Sequence, residues 1–401
     1  VTQPQTPVPP AAAESSNESS EGSTTPPEKE LRVQLFARTD VGQVREHNED
    51  NFLVADLTRR SRGLLEANRA TVIGHQGAVF AVCDGMGGAA AGEIASQLAV
   101  DIIYERLVDG LGDRPVKRDD LARRLVRAVE AAGLRIFHEA KADRSRRGMG
   151  TTVTAAALVD EILFFAQVGD SRGYILRNDQ LVQLTRDQSL VNQLIEAGQL
   201  TEEEAETFEH NNIILQALGT SDTVQVDLTY AELRRGDVLL LCSDGLSGMV
   251  RFEDIREVLR SGAEPLDICK ALTERANQAG GHDNITVIIV KFDGNGLKPP
   301  QADDEPLKYR KYILQDESLE HEKTAPMPAV SVGAANAAVQ SADGQRAPSS
   351  PPASWQEQGY PGQEDYDRID IPGTHVPLWM VVGIVVGVVV LLAGTAFLLL
   401  R

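Results

Sequence analysis

The chain has 401 residues, 42% of them hydrophobic, and a formal net charge of −20 at pH 7. That is enough apolar material for one large core or two smaller ones plus unstructured segments, and the acidic excess argues against general nucleic-acid binding. Cys83, Cys242 and Cys269 sit in apolar contexts without metal-ligand or disulfide-framework spacing, so they read as buried reduced thiols of a reducing, cytosolic compartment.

Residues 1–30 are rich in Pro, Ser, Thr, Glu and Ala, lack the apolar stretch of a secretory signal, and are expected to be a disordered tail. Periodic apolar segments dominate 31–293, the expected folded domain. Within it, short apolar runs lead into acidic residues: Phe80-Ala81-Val82-Cys83 into Asp84, Phe164-Phe165-Ala166-Gln167-Val168 into Gly169-Asp170, and 238–242 into Ser243-Asp244. Asp283-Asn284 instead opens the run 285–290. Such runs read as buried strands, and helical periodicity is expected over 90–107, 121–140, 252–260 and 265–278. A carboxylate at the end of a buried strand is costly unless something positive compensates it. Several converging on one point imply bound cations, and an all-oxygen ligand set favours magnesium or manganese over zinc.

Arg45-Glu46-His47-Asn48-Glu49-Asp50 precedes the apolar Phe52-Leu53-Val54, so a loop entering a strand brings carboxylates and one guanidinium close together. A surface charge cluster is the bland alternative. Asp84-Gly85-Met86-Gly87-Gly88 closes a strand and opens a helix near Ala89. Glycine lets backbone approach a ligand closely, so the Gly85 carbonyl and the Asp84 carboxylate make natural paired metal ligands. A phosphate-cradling glycine loop lacks its lysine partner here, and a plain turn is the remaining alternative. Asp244-Gly245 and Asp283-Asn284 repeat the pattern. Each alone fits an ordinary turn; the series is better read as one converging site.

From 35 to 292 a series of motifs follows in order. Thr39-Asp40-Val41-Gly42 leads into Arg45 and Asn48-Glu49-Asp50, followed by Asp84 to Gly88 and Gly148-Met149-Gly150-Thr151-Thr152. Then come Gly169-Asp170-Ser171-Arg172, Leu184-Thr185-Arg186-Asp187, Ala217-Leu218-Gly219, Ser243-Asp244-Gly245-Leu246 and Asp283-Asn284. In these motifs the chain resembles the metal-dependent Ser/Thr protein phosphatase family, type 2C, in its bacterial branch. The resemblance implies an α+β fold, a four-layer α-β-β-α sandwich of two antiparallel sheets flanked by helices, with the metal site at one end. It implies two Mn2+ or Mg2+ ions held by Asp50, Asp84, the Gly85 carbonyl, Asp244 and Asp283, with Asp84 bridging and Glu49 acting through a metal-bound water. Asp170 marks a third metal site, with fewer carboxylates because Gly248 stands where some members carry another acid. The implied reaction is hydrolysis of phosphoserine and phosphothreonine by a water bridging two divalent ions, without a covalent phosphoenzyme. Arg45 is the side chain suited to hold the phosphoryl oxygens, since a planar guanidinium binds two at once. Met86 stands where many eukaryotic members have a histidine proposed as general acid, and methionine has no proton to donate. In relatives, the region corresponding to 188–215 is a mobile flap beside the active site; here it carries a helical segment and the acidic run 202–206. Residues 59–76 form a basic, glycine-punctuated insertion between two expected strands.

Cys269 and Arg275 share the spacing of thiol phosphatases, but Lys270-Ala271-Leu272-Thr273-Glu274 continues a helical pattern with Ile268 and Ala276. That chemistry needs a glycine-rich loop and a low-pKa thiolate, so the spacing is read as chance.

Residues 294–377, with acidic patches and proline pairs, are expected to be a flexible linker in which only the weakly amphipathic 307–314 is a candidate for docking. Residues 378–400 are 23 consecutive uncharged residues, long enough at about 1.5 Å per residue for a ~30 Å hydrocarbon core. They are expected to be a membrane-spanning tail anchor. Ile371-Pro372-Gly373-Thr374 loosely resembles a cell-wall sorting motif and a lipid-anchor signal is the other alternative, but both require export. Gly383 and Gly387 form a GxxxG pair, a helix-dimerisation pattern that is also common in such helices. The expected protein is a single-pass membrane phosphatase facing the cytoplasm, acting on phosphorylated proteins, including Ser/Thr kinases and their substrates, with no nucleic-acid partner. A catalytically silent phosphoprotein-binding module and a hydrolase of small phosphate esters are the alternatives.

Overall fold

Alternation along the strands decides the architecture. In β5 (Ala78–Cys83), Val79, Ala81 and Cys83 face one apolar cluster while Ala78, Phe80 and Val82 face another. A strand buried on both faces must be the middle of a stack, because successive side chains point to opposite sides. The computed structural model describes residues 29–314 apart from 64–69, 88–90, 206–207 and 209–211. Its strands form two six-stranded antiparallel sheets. The first runs in the order β11 (Gln180–Gln183), β10 (Arg172–Arg177), β13 (Val238–Cys242), β14 (Ile285–Asp293), β1 (Leu31–Asp40), β4 (Thr71–Ile73). The second runs β12 (Asp227–Glu232), β9 (Ile162–Val168), β8 (Val153–Val159), β5, β2 (Asn51–Asp56), β3 (Ser61–Arg62). A two-stranded ribbon of β6 (Gly85–Met86) and β7 (Gly150–Thr151) completes the pairing.

Three apolar layers follow. Phe80, Phe165, Leu239, Leu241, Ile288 and Val290 fill the space between the sheets. Helices α1 (Ala91–Val108) and α2 (Arg118–Ala142) cover the outer face of the second sheet, α1 through Ala91, Ala95, Ala99, Ile103 and α2 through Leu121, Leu125, Ala128, Ala132, Ile136. Their three- and four-residue spacing gives each helix one apolar stripe, and the small residues permit close approach. Helices α6 (Phe252–Arg260) and α7 (Pro265–Gln278) cover the outer face of the first sheet, α7 starting with a proline whose fixed φ suits a helix entry. The layers are therefore α-β-β-α, as the resemblance implied. Short helices α3 (Leu190–Glu196), α4 (Glu202–Ala205) and α5 (Asp244–Ser247) lie in the connections.

The expected linker needs one correction: its first part, 294–314, is laid against the domain. Leu297 is 1% exposed within the inter-sheet core. Arg234 clamps Asp304 at 2.9 Å, and Arg235 reaches the carbonyls of Gly294 and Leu297. Tyr312 stacks edge-on against Phe164 and Tyr230, and its hydroxyl donates to Asp119. Single anchors spaced along a polar segment produce little periodicity, which is why composition read it as linker and singled out only 307–314, where Tyr312 lies, as a candidate to dock. Residues 1–28, the linker beyond 314 and the apolar segment 378–400 lie outside the described residues. Among the described residues no helix is long and apolar enough to cross a membrane.

Candidate active site

Asp50, Asp84, Asp170, Asp244 and Asp283 gather at strand ends and adjoining loops, close enough to act on one another's ionisation. Asp50 enters β2 and Asp84 leaves β5, which are paired neighbours in the second sheet. Asp244 opens α5 directly after β13, and Asp283 precedes β14, which pairs with β13 in the first sheet. The site thus straddles the open end of the sandwich, where both sheets deliver carboxylates. Asp170 follows β9, next to β8 and the ribbon.

Asp50 is 4% exposed; its Oδ2 accepts from the Ser243 hydroxyl at 2.8 Å, while its Oδ1 has no partner. The Oδ1 atoms of Asp170 and Asp244 are likewise buried without a hydrogen bond. Burial pushes Asp50 up to about 8, with Asp244 and Asp283 adding to the rise against hydrogen bonds from Thr286 and Ser243. Burial, with Asp244 and Asp187, pushes Asp170 up to about 7. Asp84 is raised well above the usual carboxylate range by burial and by Asp50, Asp244 and Asp170. Asp244 is raised by burial and then by Asp283. Carboxylates that raise one another in this way lie close together, and Arg172 beside Asp170 and Asp244, with Arg45 near Asp244, offsets the rise only in part.

Those orphaned oxygens fit divalent cations. Among the described residues no three His, Cys, Asp or Glu side chains close around a single point. Hard cations take ligands from water and backbone carbonyls as well as from carboxylates. Gly85 lies where two segments pass closely: a Cβ there would lie 2.3 Å from the Gly92 carbonyl oxygen and 2.4 Å from that of Glu49. Only glycine lets β6 pass between the loop carrying Glu49 and the start of α1. Glu49 itself accepts a hydrogen bond from the Gly92 N–H in the first turn of α1, where a carboxylate suits the positive end of the helix.

Arg45 pairs with Asp283, Nη2 to Oδ2 at 2.6 Å, across 238 residues of sequence. Its side chain is 48% exposed, so the rest of its fork faces solvent at the mouth of the site. Met86 sits in β6 beside Gly150. Cys269 lies in α7, its thiol pushed up to about 12 by burial, and Arg275 bonds Glu257 and the Asp254 carbonyl. The thiol-phosphatase spacing is therefore chance, as read.

Sequence reasoning quoted the residues that hold the carboxylates only as members of the motifs and gave them no role. Asn284 accepts from the Glu49 N–H and donates to the carbonyls of Val41 and His47, fixing the Arg45 loop. Ser243 links Asp50 to the Thr286 N–H. Thr151 and Thr152 bind the backbone of Asp84, and Gly245 approaches Asn284 so closely that a Cβ would meet its carbonyl oxygen at 2.0 Å. The signal was their place in the motifs: Asn284, Ser243 and Gly245 adjoin a motif acid, whereas Thr151 and Thr152 reach Asp84 from a motif that contains no acid.

A sandwich with clustered acids and an arginine at its open end defines a metal-dependent hydrolase. The profile of the family "Protein phosphatase 2C" matches residues 60–281. The chain is 36% identical over 256 residues to the serine/threonine phosphatase stp of Listeria monocytogenes, covering 64% of this chain and 94% of the relative. It is 39% identical over 261 residues to the protein phosphatase PhpP of Streptococcus pneumoniae, covering 65% of this chain and 98% of the relative. Among solved structures, the catalytic domain of the serine/threonine protein phosphatase PstP in complex with two manganese ions superposes with a TM-score of 0.54 at 36% identity, covering 66% of this chain and 99% of that one. The chain belongs to the protein phosphatase 2C family.

Proposed function

We propose that this protein phosphatase hydrolyses phosphoserine and phosphothreonine esters in proteins, with water as nucleophile and two Mn2+ or Mg2+ ions as cofactors. The observation carrying the proposal is the set of buried, unpartnered carboxylate oxygens of Asp50, Asp170 and Asp244, in a cluster that also takes in Asp283 and its partner Arg45. Asp50, Asp84, the Gly85 carbonyl, Asp244 and Asp283 hold the two ions, Glu49 contributes through water, and Asp170 supports a third ion. Bound there, the ions acidify water and stabilise charge on the phosphoryl oxygens. Arg45 orients the phosphoryl group through the N–H groups it does not spend on Asp283. A water oxygen bonds to phosphorus as the bond to the serine or threonine oxygen breaks, and inorganic phosphate leaves. The departing alkoxide takes its proton from solvent, since Met86 at the site has none to give.

The test is phosphate release from a phosphothreonine peptide by the full chain with manganese, with chelator, and in Asp84→Asn and Asp244→Asn variants. Release that needs metal and is lost in both variants is expected. A folded, metal-binding protein that releases no phosphate from any phosphopeptide would refute the activity.

The uncharged segment 378–400 supports a further proposal: the domain is tethered to the membrane on its cytoplasmic side, where its substrates include Ser/Thr kinases and their targets.

A further inference from the structure

The segment that sequence reading left as linker is fixed at both ends, at Asp304 by Arg234 and at Tyr312 by Phe164, Tyr230 and Asp119. Between these anchors it lies along the free edge of β12. The Tyr230 N–H donates to the Arg310 carbonyl, the Tyr312 N–H to the Leu228 carbonyl, and Lys311 bridges Thr229. An edge strand offers unpaired backbone groups, and this segment satisfies them. Asp227, at the start of β12, takes the Tyr309 hydroxyl at 2.7 Å and the Lys311 ammonium at 3.1 Å.

That ring carries the contact that reaches the active site. The Arg186 guanidinium sits 4.9 Å from its centroid, and Arg186 Nε pairs with Glu196 Oε1 at 2.9 Å at the end of α3. The same Glu196 oxygen accepts from Asn192 in the middle of α3, and Asn192 also donates to the Asp187 carbonyl. The root of α3 is tied to the site: the Gln188 N–H donates to the Gly169 carbonyl, and its side-chain oxygen accepts from the Gly169 N–H, next to Asp170. Asp187 pairs with Arg172 on the other side of Asp170. A continuous series of polar contacts therefore runs from Tyr309 through Arg186, Glu196 and Asn192 to the peptide beside Asp170.

We propose that residues 304–312 form a strap that positions α3 for polypeptide substrates, with Tyr309 and Arg186 as positioning residues. The proposal rests on the phosphatase reading above. A polypeptide must lie across the surface beside the site, whereas a small aryl phosphate reaches only the carboxylates and Arg45. Loosening α3 therefore weakens productive binding of the first and leaves the second unaffected. Tyr309 and Arg186 touch none of the candidate metal ligands, so they act on substrate binding and not on the chemical step.

The experiment compares the full chain with Tyr309→Ala, Arg186→Gln, their double variant and Tyr309→Phe, all with manganese. It measures kcat and KM on a phosphothreonine peptide and on p-nitrophenyl phosphate, and amide hydrogen exchange across 190–196. Each single loss is expected to raise the peptide KM about fivefold, the scale of one cation–π contact with its coupled ion pair. The double variant is expected to add little, because both residues act on one path. Tyr309→Phe keeps the ring and stays within about twofold of the wild type. Exchange in 190–196 accelerates in Tyr309→Ala while p-nitrophenyl phosphate turnover is unchanged. Unchanged peptide KM and exchange in Tyr309→Ala would overturn the proposal, as would an equal fall on both substrates, which assigns the strap to general stability. If the wild type releases phosphate from neither substrate, the phosphatase reading fails separately; faster exchange in 190–196 then still supports the coupling, and unchanged exchange overturns it.

Discussion

At the scale of single residues, Arg45 does two things that pull against each other. It clamps Asp283, and under the proposed reaction it also faces a phosphoryl group. The pair is half exposed, so it contributes no more than about 1 kcal/mol to the fold, and its loss leaves Asp283 free to bind a cation. Arg45→Ala is therefore expected to lower kcat/KM on phosphopeptides about 10- to 100-fold, the value of charge-assisted bonds to the phosphoryl oxygens. The stabilisation of the fold by manganese should survive, read as a shift in Tm. Full turnover by the variant would remove Arg45 from the site. The buried acids make a second prediction. Asp50, raised by burial to about 8, and Asp170, raised by burial to about 7, hold their protons in the folded metal-free protein at pH values where the unfolded chain has lost them. Their contribution is most favourable below the unfolded value of about 3.9 and is lost as pH rises towards about 8, by at most about 1.4 kcal/mol per pH unit for each. With chelator, Tm should fall between pH 5 and pH 8, while manganese should flatten or reverse that slope. Parallel slopes with and without metal would show that these carboxylates do not hold the ions.

The elements show where sequence reading succeeds and where it stops. Strands β5, β9, β13 and β14 were legible because a run buried on both faces must be apolar at nearly every position. Helices α6 and α7 fall on the expected spans 252–260 and 265–278, since one apolar stripe on a polar cylinder leaves a clear period. Segment 294–314 follows neither rule. It is held by separate contacts, Leu297 in the core, Asp304 on Arg234 and Tyr312 on Phe164, each supplied by a different partner element. The ribbon of β6 and β7 was equally hidden, because two residues carry no period, yet it fixes Gly85 opposite Thr151.

For the whole molecule, the 23 uncharged residues at 378–400 carry the prediction that reaches beyond the folded domain. The full chain expressed in cells should pellet with membranes and a chain ending at 377 should not; equal distribution of the two would end the tether proposal. Tethering raises the effective concentration of the domain towards membrane-bound phosphoproteins without any dedicated contact. The sequence by itself put forward the candidate residues. Asp84, Asp170 and Asp244 stood out as acids at the ends of apolar runs, which have no cheap structural explanation, and the resemblance supplied the proposed roles of Arg45, Glu49, Asp50, Asp84, Gly85, Asp170, Asp244 and Asp283. Only the tertiary structure decided how they are held. Arg45 meets Asp283 across 238 residues, Glu49 meets Asn284 across 235, and Ser243 meets Asp50 across 193. Local pattern is written by a residue's neighbours in the chain. Partners that far apart are chosen by strand order and register, which the packing of both sheets sets together.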